Sequence, residues 1–329
     1  MLLPRSIHPL PGEAERRERL LAIVDRFPNR RILVIGDLIA DEFIYGEVAR
    51  VSREAPVLIL RYDATRLVAG GAGNAANNVS ALGGRARLVG LVGGDIEGRR
   101  LLTSFHGRVD RTHVIRARGY RTPIKTRILA GGVHAARQQV VRIDRDNDWP
   151  FDESVSAALM RKVGPLLEDC DAVLLSDYGS GLITPRLADA IRRGVGRRVR
   201  RRPVPVLLDS RYRLIDFRGL TTCTPNESEV EAVLITRGSR GMALFEAKQR
   251  TVHIPIFGSD EVADVTGAGD TVIATFALAL SAGASFYEAA RLANYAGGLV
   301  VMKRGTATVS ATELSEAVRS DHQTRIDQL

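Results

Sequence analysis

Lysine, cysteine and aromatic residues are all scarce in this chain of 329 residues. Only four of its 47 basic residues are lysines, so arginine carries most of a formal net charge of +9. Aromatic residues make up 5% of the sequence, and no basic stripe with interleaved aromatics accompanies the charge. Such stripes are typical of proteins that bind nucleic acid, so we expect no nucleic-acid partner. The densest run, Arg192 to Arg202, is predicted to be a solvated connection.

The two cysteines, Cys170 and Cys223, lie in or beside apolar runs and lack the spacing of a metal-binding pair. The sequence therefore predicts neither a zinc site nor a disulfide framework, which fits a reducing compartment.

Long hydrophobic runs are also absent. The longest uncharged stretch, Thr271 to Tyr287, carries Gly and Ser and is shorter than the ~20 apolar residues of a membrane span. The N-terminal segment is charged from Arg5 to Arg19 and has no apolar signal core. We therefore expect a cytoplasmic chain with no membrane partner.

Short apolar runs alternate with helical patterns along most of the chain, as in α/β proteins. This alternation predicts a mainly parallel sheet with helices on both faces. The length fits one large domain over residues 1–329. The predicted strands of the sheet are Ile32–Ile35, Leu88–Val92, Ala172–Ser176 and Val204–Asp209.

Two other segments, Glu42–Tyr62 and Arg121–Asp144, alternate polar and apolar residues and contain Pro and Gly. This pattern is typical of small antiparallel strands. We interpret the two segments together as an antiparallel lid, about residues 42–66 and 116–144, inserted into the α/β domain.

One connection is too short for this scheme. A strand that ends near Thr224 runs into the polar segment Pro225–Glu229, and only Val230–Val233 separates that segment from the next apolar run, Leu234–Thr236. A crossover between parallel strands needs about a dozen residues. We therefore infer that a helical segment is absent at this point.

The segment Asp264–Asp270, Asp-Val-Thr-Gly-Ala-Gly-Asp, directly precedes a helical pattern over Thr271–Ala282. Small residues let the backbone approach a ligand closely, and free amides at a helix N-terminus point toward an anion. We therefore predict a phosphate site at Gly267–Gly269, beside which Asp270 could accept the proton of an attacking hydroxyl. The alternative is a glycine-rich turn in which Asp270 serves only the helix dipole.

A second small-residue segment, Gly70–Asn78, leads into a predicted helix that ends at Leu82. Gly70 and Gly71 would admit a sugar close to the backbone, and Asn74 offers both a donor and an acceptor to hydroxyl groups. A tight helix entry, with small residues for packing, is the alternative.

Asp37 directly follows Gly36 at the end of the first predicted strand, and Asp41 lies four residues further on. In open α/β sheets, ligands bind beyond the carboxyl ends of the strands, so Asp37 is placed to hold two sugar hydroxyls. An aspartate that only caps the next turn is the alternative.

Together these three segments resemble the ribokinase-like (pfkB) carbohydrate kinases, whose signature joins a glycine-rich N-terminal motif to a C-terminal Asp-Thr-Gly-Ala-Gly-Asp element. The resemblance extends from Arg31 to about Leu314. It implies a three-layer α/β/α sandwich with a small β lid, and Asp270 as the catalytic base. It also implies that charge on the transferring phosphoryl group is stabilised by the amides of Gly267, Ala268 and Gly269.

The resemblance further implies ATP and Mg²⁺ as cofactors, with a monovalent cation such as K⁺ as a further candidate. Asn226 and Glu229 match the family's Asn-x-x-Glu element and would organise Mg²⁺ and the ATP phosphates, largely through water. The other implied nucleotide-site residues are Thr236, Arg237, Gly238, Gly241 and Asn294.

One subgroup, the bacterial heptose 7-phosphate kinases, is more similar still. It implies D-glycero-D-manno-heptose 7-phosphate as substrate, phosphorylated at the anomeric hydroxyl to the 1,7-bisphosphate for nucleotide-heptose and lipopolysaccharide synthesis. The segments that carry this similarity are Gly36–Gly46, Ser52–Val57, Thr122–Arg127 and Arg137–Asp144.

Three cations on the proposed lid, Lys125, Arg127 and Arg137, suit a substrate that already bears a phosphate. Solvated strand charges are the alternative. Ser180 and the pair Ser210-Arg211 depart from related kinases, which commonly carry lysine and Pro-Lys there, so one basic contact near the phosphates is lost or replaced by Arg211.

The outer face of the lid would expose apolar side chains such as Val57 and Ile59, so we predict a homodimer formed through the lid. A monomer that covers this face with its own loops is the alternative. No chain follows Leu329 for the nucleotidyltransferase domain of bifunctional members, so the sequence predicts the kinase activity alone.

Two other functions stay open. Another sugar or a nucleoside, such as ribose, fructose or adenosine, could be the substrate. A non-catalytic nucleotide-binding regulator of the same fold is favoured by the short connection and opposed by the presence of Asp270.

Overall fold

A computed structural model describes residues 12–131, 137–147, 149, 151, 153–197, 203–210, 216–224, 232–247, 249–258 and 264–321. The helices of this part of the chain are α1 (Glu13–Val24), α2 (Ala72–Ala81), α3 (Ile96–Thr103), α4 (Glu153–Leu167), α5 (Pro185–Gly196), α6 (Ala268–Ser281), α7 (Phe286–Val301) and α8 (Ala311–Ser320).

The strands are β1 (Arg31–Gly36), β2 (Leu38–Val51), β3 (Leu58–Gly71), β4 (Arg85–Val89), β5 (Leu91–Gly93), β6 (Val109–Asp110), β7 (Ile115–Ala117), β8 (Ile124–Gly131), β9 (Gln138–Arg145), β10 (Ala172–Asp177), β11 (Val206–Ser210), β12 (Thr222–Thr224), β13 (Ala232–Thr236), β14 (Met242–Glu246) and β15 (Val252–Ile254).

A nine-stranded sheet forms the centre of the molecule, in the order β15-β14-β13-β12-β11-β10-β1-β4-β6. All neighbours from β6 to β13 are parallel, whereas β14 and β15 join antiparallel. The predicted, mainly parallel sheet is therefore confirmed. Because parallel neighbours all end in the same direction, the carboxyl ends of seven strands lie along one edge.

Helices cover both faces of this sheet. In β1, Ile32 and Val34 belong to a core that also contains apolar residues of α1, α2, α6, α7 and α8. Leu33 and Ile35 point the other way and pack with α4 and α5. Strand residues alternate between the two faces, so this division gives the three-layer α/β/α arrangement.

A smaller, four-stranded sheet has the order β3-β2-β8-β9. The outer pairs β2–β3 and β8–β9 are antiparallel, as predicted for the lid strands. The middle pair is parallel and begins with Ala40 beside Ile124. That pairing was not predicted.

The strands β12 and β13 are parallel neighbours, with Thr222 beside Ala232. Their connection, residues 225–231, lies outside the described residues and is shorter than the dozen residues of an ordinary parallel crossover. The absence of a helical segment here stays a prediction. Within the described ranges, no helix has the length and apolar character needed to cross a bilayer.

Candidate active site

Acidic side chains gather where three neighbouring strands end at one edge of the main sheet. Asp37 follows β1, Asp177 ends β10 and Asp209 lies near the end of β11. In the sheet register Gly36 is beside Ser176, which is beside Asp209. Open α/β sheets bind their ligands at this edge.

Asp270, in the first turn of α6, is the centre of a hydrogen-bond network across this edge. Its Oδ2 accepts a hydrogen bond from Asn74 Nδ2 at 2.8 Å, and its Oδ1 accepts one from the Tyr178 hydroxyl at 2.8 Å. Asn78 donates to Asn74 Oδ1 at 3.1 Å and accepts from Thr271 Oγ1 at 3.0 Å. These bonds fix the Asp270 carboxylate relative to α2, α6 and the segment after β10.

Burial raises the pKa of Asp270 to about 7, and the negative charges of Asp209 and Asp41 add to this effect, whereas hydrogen bonds from Asn74 and Tyr178 oppose it. The side chain is 2% exposed. A carboxylate whose pKa lies near neutrality can accept a proton from a hydroxyl group and release it afterwards. The position of Asp270 therefore suits a general base.

Asp37 is held by the segment that follows β10. The amide of Tyr178 donates to Asp37 Oδ2 at 2.8 Å, and the Ser180 hydroxyl donates to Oδ1. Burial raises the pKa of Asp37 against the effect of these hydrogen bonds. Ser210, the other departure from related kinases, donates to Asp177 Oδ2 at 2.8 Å. Both serines thus bond to carboxylates at this edge.

Gly70 and Gly71 bring the start of α2 against the loop after β1. A Cβ at Gly70 would collide with the Asp41 carboxylate, and one at Gly71 with the Asp37 carbonyl. Gly71 also has φ +59°, which disfavours other residues. Packing alone therefore requires both glycines, and their predicted contact with a sugar stays a prediction.

The predicted phosphate site lies at the N-terminus of α6. Gly267 has φ +76°, and a Cβ there would collide with Asn74 Nδ2. The amide of Ala268 donates to the Val265 carbonyl at 3.2 Å. A Cβ added at Gly269 would meet nothing within 4 Å, so there is open space beside this glycine. Amides of a first helical turn have no intrahelical acceptor and can bind an anion.

Of the three cations predicted for the lid, two contact residues of the candidate active site. Lys125 is beside Asp41 in the small sheet, and its Nζ is 5.4 Å from the centroid of the Tyr178 ring. Arg127 Nη1 donates to Asp41 Oδ1 at 2.6 Å, and both side chains of this pair are largely buried. Thr306 Oγ1 donates to the other oxygen of Asp41 at 3.4 Å.

Arg137 lies elsewhere on the lid. It forms an ion pair with Asp63 at 2.5 Å, and the two side chains are 37% and 47% exposed. The next residue, Gln138, is beside Ala130, which is five positions, or about 17 Å, along β8 from Lys125. The structure therefore does not bring Arg137 together with the other two cations.

Residues predicted for the nucleotide lie at the same edge of the sheet, further toward β15. Thr236 ends β13, and the amide of Arg237 donates to the Gly241 carbonyl at 2.8 Å in the turn that contains Gly238. On α7, Asn294 Nδ2 donates to the carbonyl of Pro255 at 2.8 Å. The hydrogen bond to Pro255 gives Asn294 a structural role whatever else it binds.

The predicted Mg²⁺ residues Asn226 and Glu229 lie outside the described residues. In the part of the chain that the structure describes, no group of three His, Cys, Asp or Glu side chains is arranged to hold a metal ion.

A family model for the pfkB carbohydrate kinases matches residues 29–163 and 220–313. The chain belongs to this family. Among its curated relatives, the bifunctional protein HldE of Trichlorobacter lovleyi is 37% identical over 336 aligned residues, which cover 93% of this chain and 66% of the relative. HldE of Caulobacter vibrioides is 38% identical over 89% of this chain and 64% of the relative. The chain thus spans about two thirds of the length of these relatives.

Two solved structures have the same fold as this chain. The structure of Arabidopsis thaliana ribokinase complexed with ribose and ATP covers 89% of this chain and 99% of its own, with a TM-score of 0.63 and 20% identity. Phosphofructokinase-2 of Escherichia coli in complex with potassium covers 88% and 98%, with a TM-score of 0.64 and 14% identity. The predicted ribokinase-like fold is therefore confirmed.

In this pfkB-family chain, the sequence did not predict several side chains at the site, among them Tyr178, Asn78 and Thr271. Tyr178 comes two positions after the predicted strand Ala172–Ser176 and directly follows Asp177, a position that could have marked it. Asn78 ends the segment Gly70–Asn78 and Thr271 directly follows the segment Asp264–Asp270, but their hydrogen bond joins residues 193 positions apart in the chain.

Proposed function

We propose that this chain is an ATP-dependent sugar kinase whose substrate is D-glycero-D-manno-heptose 7-phosphate, phosphorylated at the anomeric hydroxyl to give the 1,7-bisphosphate for nucleotide-heptose and lipopolysaccharide synthesis. The buried Asp270 carboxylate, held by Asn74 and Tyr178 at the N-terminus of α6, carries the kinase proposal. The similarity to HldE proteins and the position of Lys125 and Arg127 support the substrate.

In the proposed reaction, Asp270 accepts the proton of the sugar hydroxyl while that oxygen forms a bond to the γ-phosphorus of ATP. The bond between the γ-phosphorus and its bridging oxygen breaks, and ADP leaves. The amides of Gly267–Gly269 would stabilise the negative charge on the transferring group. Because the Ala268 amide already donates to Val265, we expect Gly267 and Gly269 to contribute most.

Asp37 and Asn74 are the proposed ligands of the sugar hydroxyls. Asp37 Oδ2 already accepts bonds from the amides of Tyr178 and Ser180, and Oδ1 accepts one from the Ser180 hydroxyl. A carboxylate offers about four acceptor positions, so one position remains for a sugar hydroxyl, and a second hydroxyl would replace the 3.4 Å bond from the Ser180 amide. Gly70 and Gly71 would leave room for the sugar beside them.

For the nucleotide, we propose contacts with Thr236, Arg237, Gly238, Gly241 and Asn294. Asn226 and Glu229 would hold Mg²⁺ and the ATP phosphates, largely through water, and the ion would neutralise phosphate charge. K⁺ is a further candidate, since the E. coli phosphofructokinase-2 structure is a potassium complex.

The substrate proposal is tested by measuring kcat/KM for heptose and heptose 7-phosphate, in the wild type and in Lys125→Met. If Lys125 binds the substrate phosphate, the wild type prefers the phosphorylated sugar by orders of magnitude, because each charge-assisted contact contributes roughly 1.5–3 kcal/mol. The variant should lose much of that preference and keep its apparent ATP affinity. Equal losses on both sugars would contradict the phosphate contact.

A matched control is Lys303→Met. Lys303 is also a partly buried lysine, but it pairs with Glu313 at the start of α8. This variant should keep the wild-type preference. If the wild type prefers a free sugar or a nucleoside, the proposed substrate is wrong and the chain belongs to another branch of the family.

A non-catalytic nucleotide-binding regulator is the second candidate, favoured by the short connection at residues 225–231. ATP binding, by calorimetry, without ATP consumption across a panel of free and phosphorylated sugars would support this second function and contradict the first.

A further inference from the structure

Tyr178 contacts three parts of the site at once. Its hydroxyl donates to Asp270 Oδ1 at 2.8 Å, and its amide donates to Asp37 Oδ2 at 2.8 Å. The face of its ring lies 5.4 Å from Lys125 Nζ, and an added Cβ at Gly71 would lie 3.5 Å from its ring. One residue thus contacts α6, the loop after β1 and the lid, and it lies near the start of α2.

We propose that Tyr178 is a positioning residue that holds the base Asp270 through its hydroxyl and the sugar-binding carboxylate Asp37 through its amide. This inference rests on the proposed function, because it takes those roles for the two aspartates. The two carboxylates have to face different hydroxyls of one sugar. Since both bonds come from one residue, the spacing of the carboxylates is set by the backbone and ring of Tyr178 rather than by two independent loops.

The hydroxyl of Tyr178 also affects the protonation of the base. Its bond and that of Asn74 lower the pKa of Asp270 against the larger effect of burial and the charge of Asp209. A donor to a carboxylate stabilises the charged form. Without the Tyr178 hydroxyl, Asp270 should hold its proton at a higher pH and be available as a base over a narrower range.

Other charged groups near Asp270 have partners that do not involve the Tyr178 hydroxyl. Asp41 on β2 is paired with Arg127 on β8, Asp37 accepts a hydrogen bond from Ser180, and Lys125 Nζ lies 5.4 Å from the centroid of the Tyr178 ring. A Tyr178→Phe substitution keeps the ring, the amide and the contact with Lys125. It therefore removes one hydrogen bond to Asp270 and little else.

The first measurement is the pKa of Asp270 in the free protein, from the ¹³C shift of labelled aspartate carboxyls, with Asp270→Asn used to assign the signal. In Tyr178→Phe we expect this pKa to move upward by about one unit, as the loss of one charge-assisted hydrogen bond predicts. The second measurement is the pH profile of kcat/KM, whose acidic limb should move by the same amount while KM for ATP is unchanged.

The control is Tyr295→Phe, which deletes a hydroxyl that donates to Asp321, away from the site. It should leave both the Asp270 pKa and the acidic limb at their wild-type positions. An unchanged Asp270 pKa in a folded Tyr178→Phe variant, or an equal change in the control, would overturn the positioning role.

The two proposals fail separately, because the carboxyl titration needs no substrate. A titration that moves as expected, in a protein that phosphorylates no sugar phosphate, would support the role of Tyr178 in placing Asp270 and overturn the proposed substrate.

Discussion

At Asp270 two influences on one side chain oppose each other. Burial and neighbouring negative charge favour its protonated form, while bonds from Asn74 and Tyr178 favour the carboxylate. The balance leaves the pKa at about 7, where a base can both take and return a proton. This balance depends on a buried position beside Asp209 at which two hydrogen-bond donors reach the carboxylate.

Asp270→Asn should lower turnover by orders of magnitude and leave ATP binding intact. The amide keeps the shape of the side chain but accepts no proton, and base and positioning effects act together in the transition state. Steady-state kinetics and calorimetric ATP titration are the measurements. Turnover near the wild-type level would remove Asp270 from the proposed role.

The same substitution should change how stability depends on pH. The pKa of Asp270 is about 7 in the folded chain and has an ordinary value of 3.8. Between these values the folded chain holds a proton that the unfolded chain has lost, so the wild type loses stability as pH rises through this window.

Asp270→Asn removes that loss. The difference in unfolding free energy, variant minus wild type, should therefore increase from pH 4 to pH 7 and then stay constant. Denaturant unfolding at several pH values measures it, and a difference that decreases over this window would contradict the raised pKa.

Among single residues, the sequence predicts those whose type and spacing carry the signal. Asp270, Asp37, Asn74 and the glycines lie in motifs that have a physical reason to be at a ligand. Tyr178 lies in no such motif. It is a single tyrosine after a strand, and it acquires its role only because α6 places Asp270, 92 positions later in the chain, against its hydroxyl.

At the scale of elements, the contact between α2 and α6 is the part of the site that depends most on backbone shape. Gly267 precedes α6 in a left-handed conformation, and Asn74 Nδ2 donates to its carbonyl at 3.3 Å. The same nitrogen donates to Asp270, so the approach of the two helices and the position of the base are linked.

Gly267→Ala should therefore reduce both stability and turnover. The left-handed conformation costs a residue with a Cβ roughly 1–2 kcal/mol, and the new Cβ would also displace the Asn74 amide. Gly269→Ala is the matched control for stability, since its Cβ meets nothing within 4 Å. Thermal unfolding should therefore occur at a lower temperature in Gly267→Ala only. An equal loss of thermal stability in both variants would contradict the role of the left-handed conformation at Gly267.

The sequence predicts some strands at their observed positions and others only in part. The runs at β1, β10 and β11 are short, apolar and buried on both faces, and their positions agree with the structure. The run predicted over Leu88–Val92 divides at Gly90 into β4 and β5, which belong to different sheets. Likewise the parallel pairing of β2 with β8 joins segments about 80 residues apart, which no local pattern records.

At the scale of the whole molecule, most of the exposed large hydrophobic side chains lie on the lid. Of the twelve large hydrophobic residues that are exposed among the described residues, eight lie on the strands and connection of the small sheet. Val57 is 56% exposed, as predicted, whereas Ile59 is half-buried. These eight are Val48, Val51, Val57, Leu58, Tyr62, Val140, Val141 and Ile143.

We propose that this surface forms a homodimer through the lid, because β3 and β9 are edge strands whose apolar side chains would otherwise face water. Leu58→Lys places a charge in the proposed interface and should shift the molar mass, measured by light scattering at micromolar concentration, from dimer to monomer. Phe245→Lys is the control, since Phe245 is similarly exposed at 40% against 47% for Leu58 but lies on β14, away from the lid. It should leave the dimer intact. Dissociation in both variants would contradict an interface through the lid. A monomeric wild type would also contradict it, and loops of the chain itself would then have to cover the apolar face.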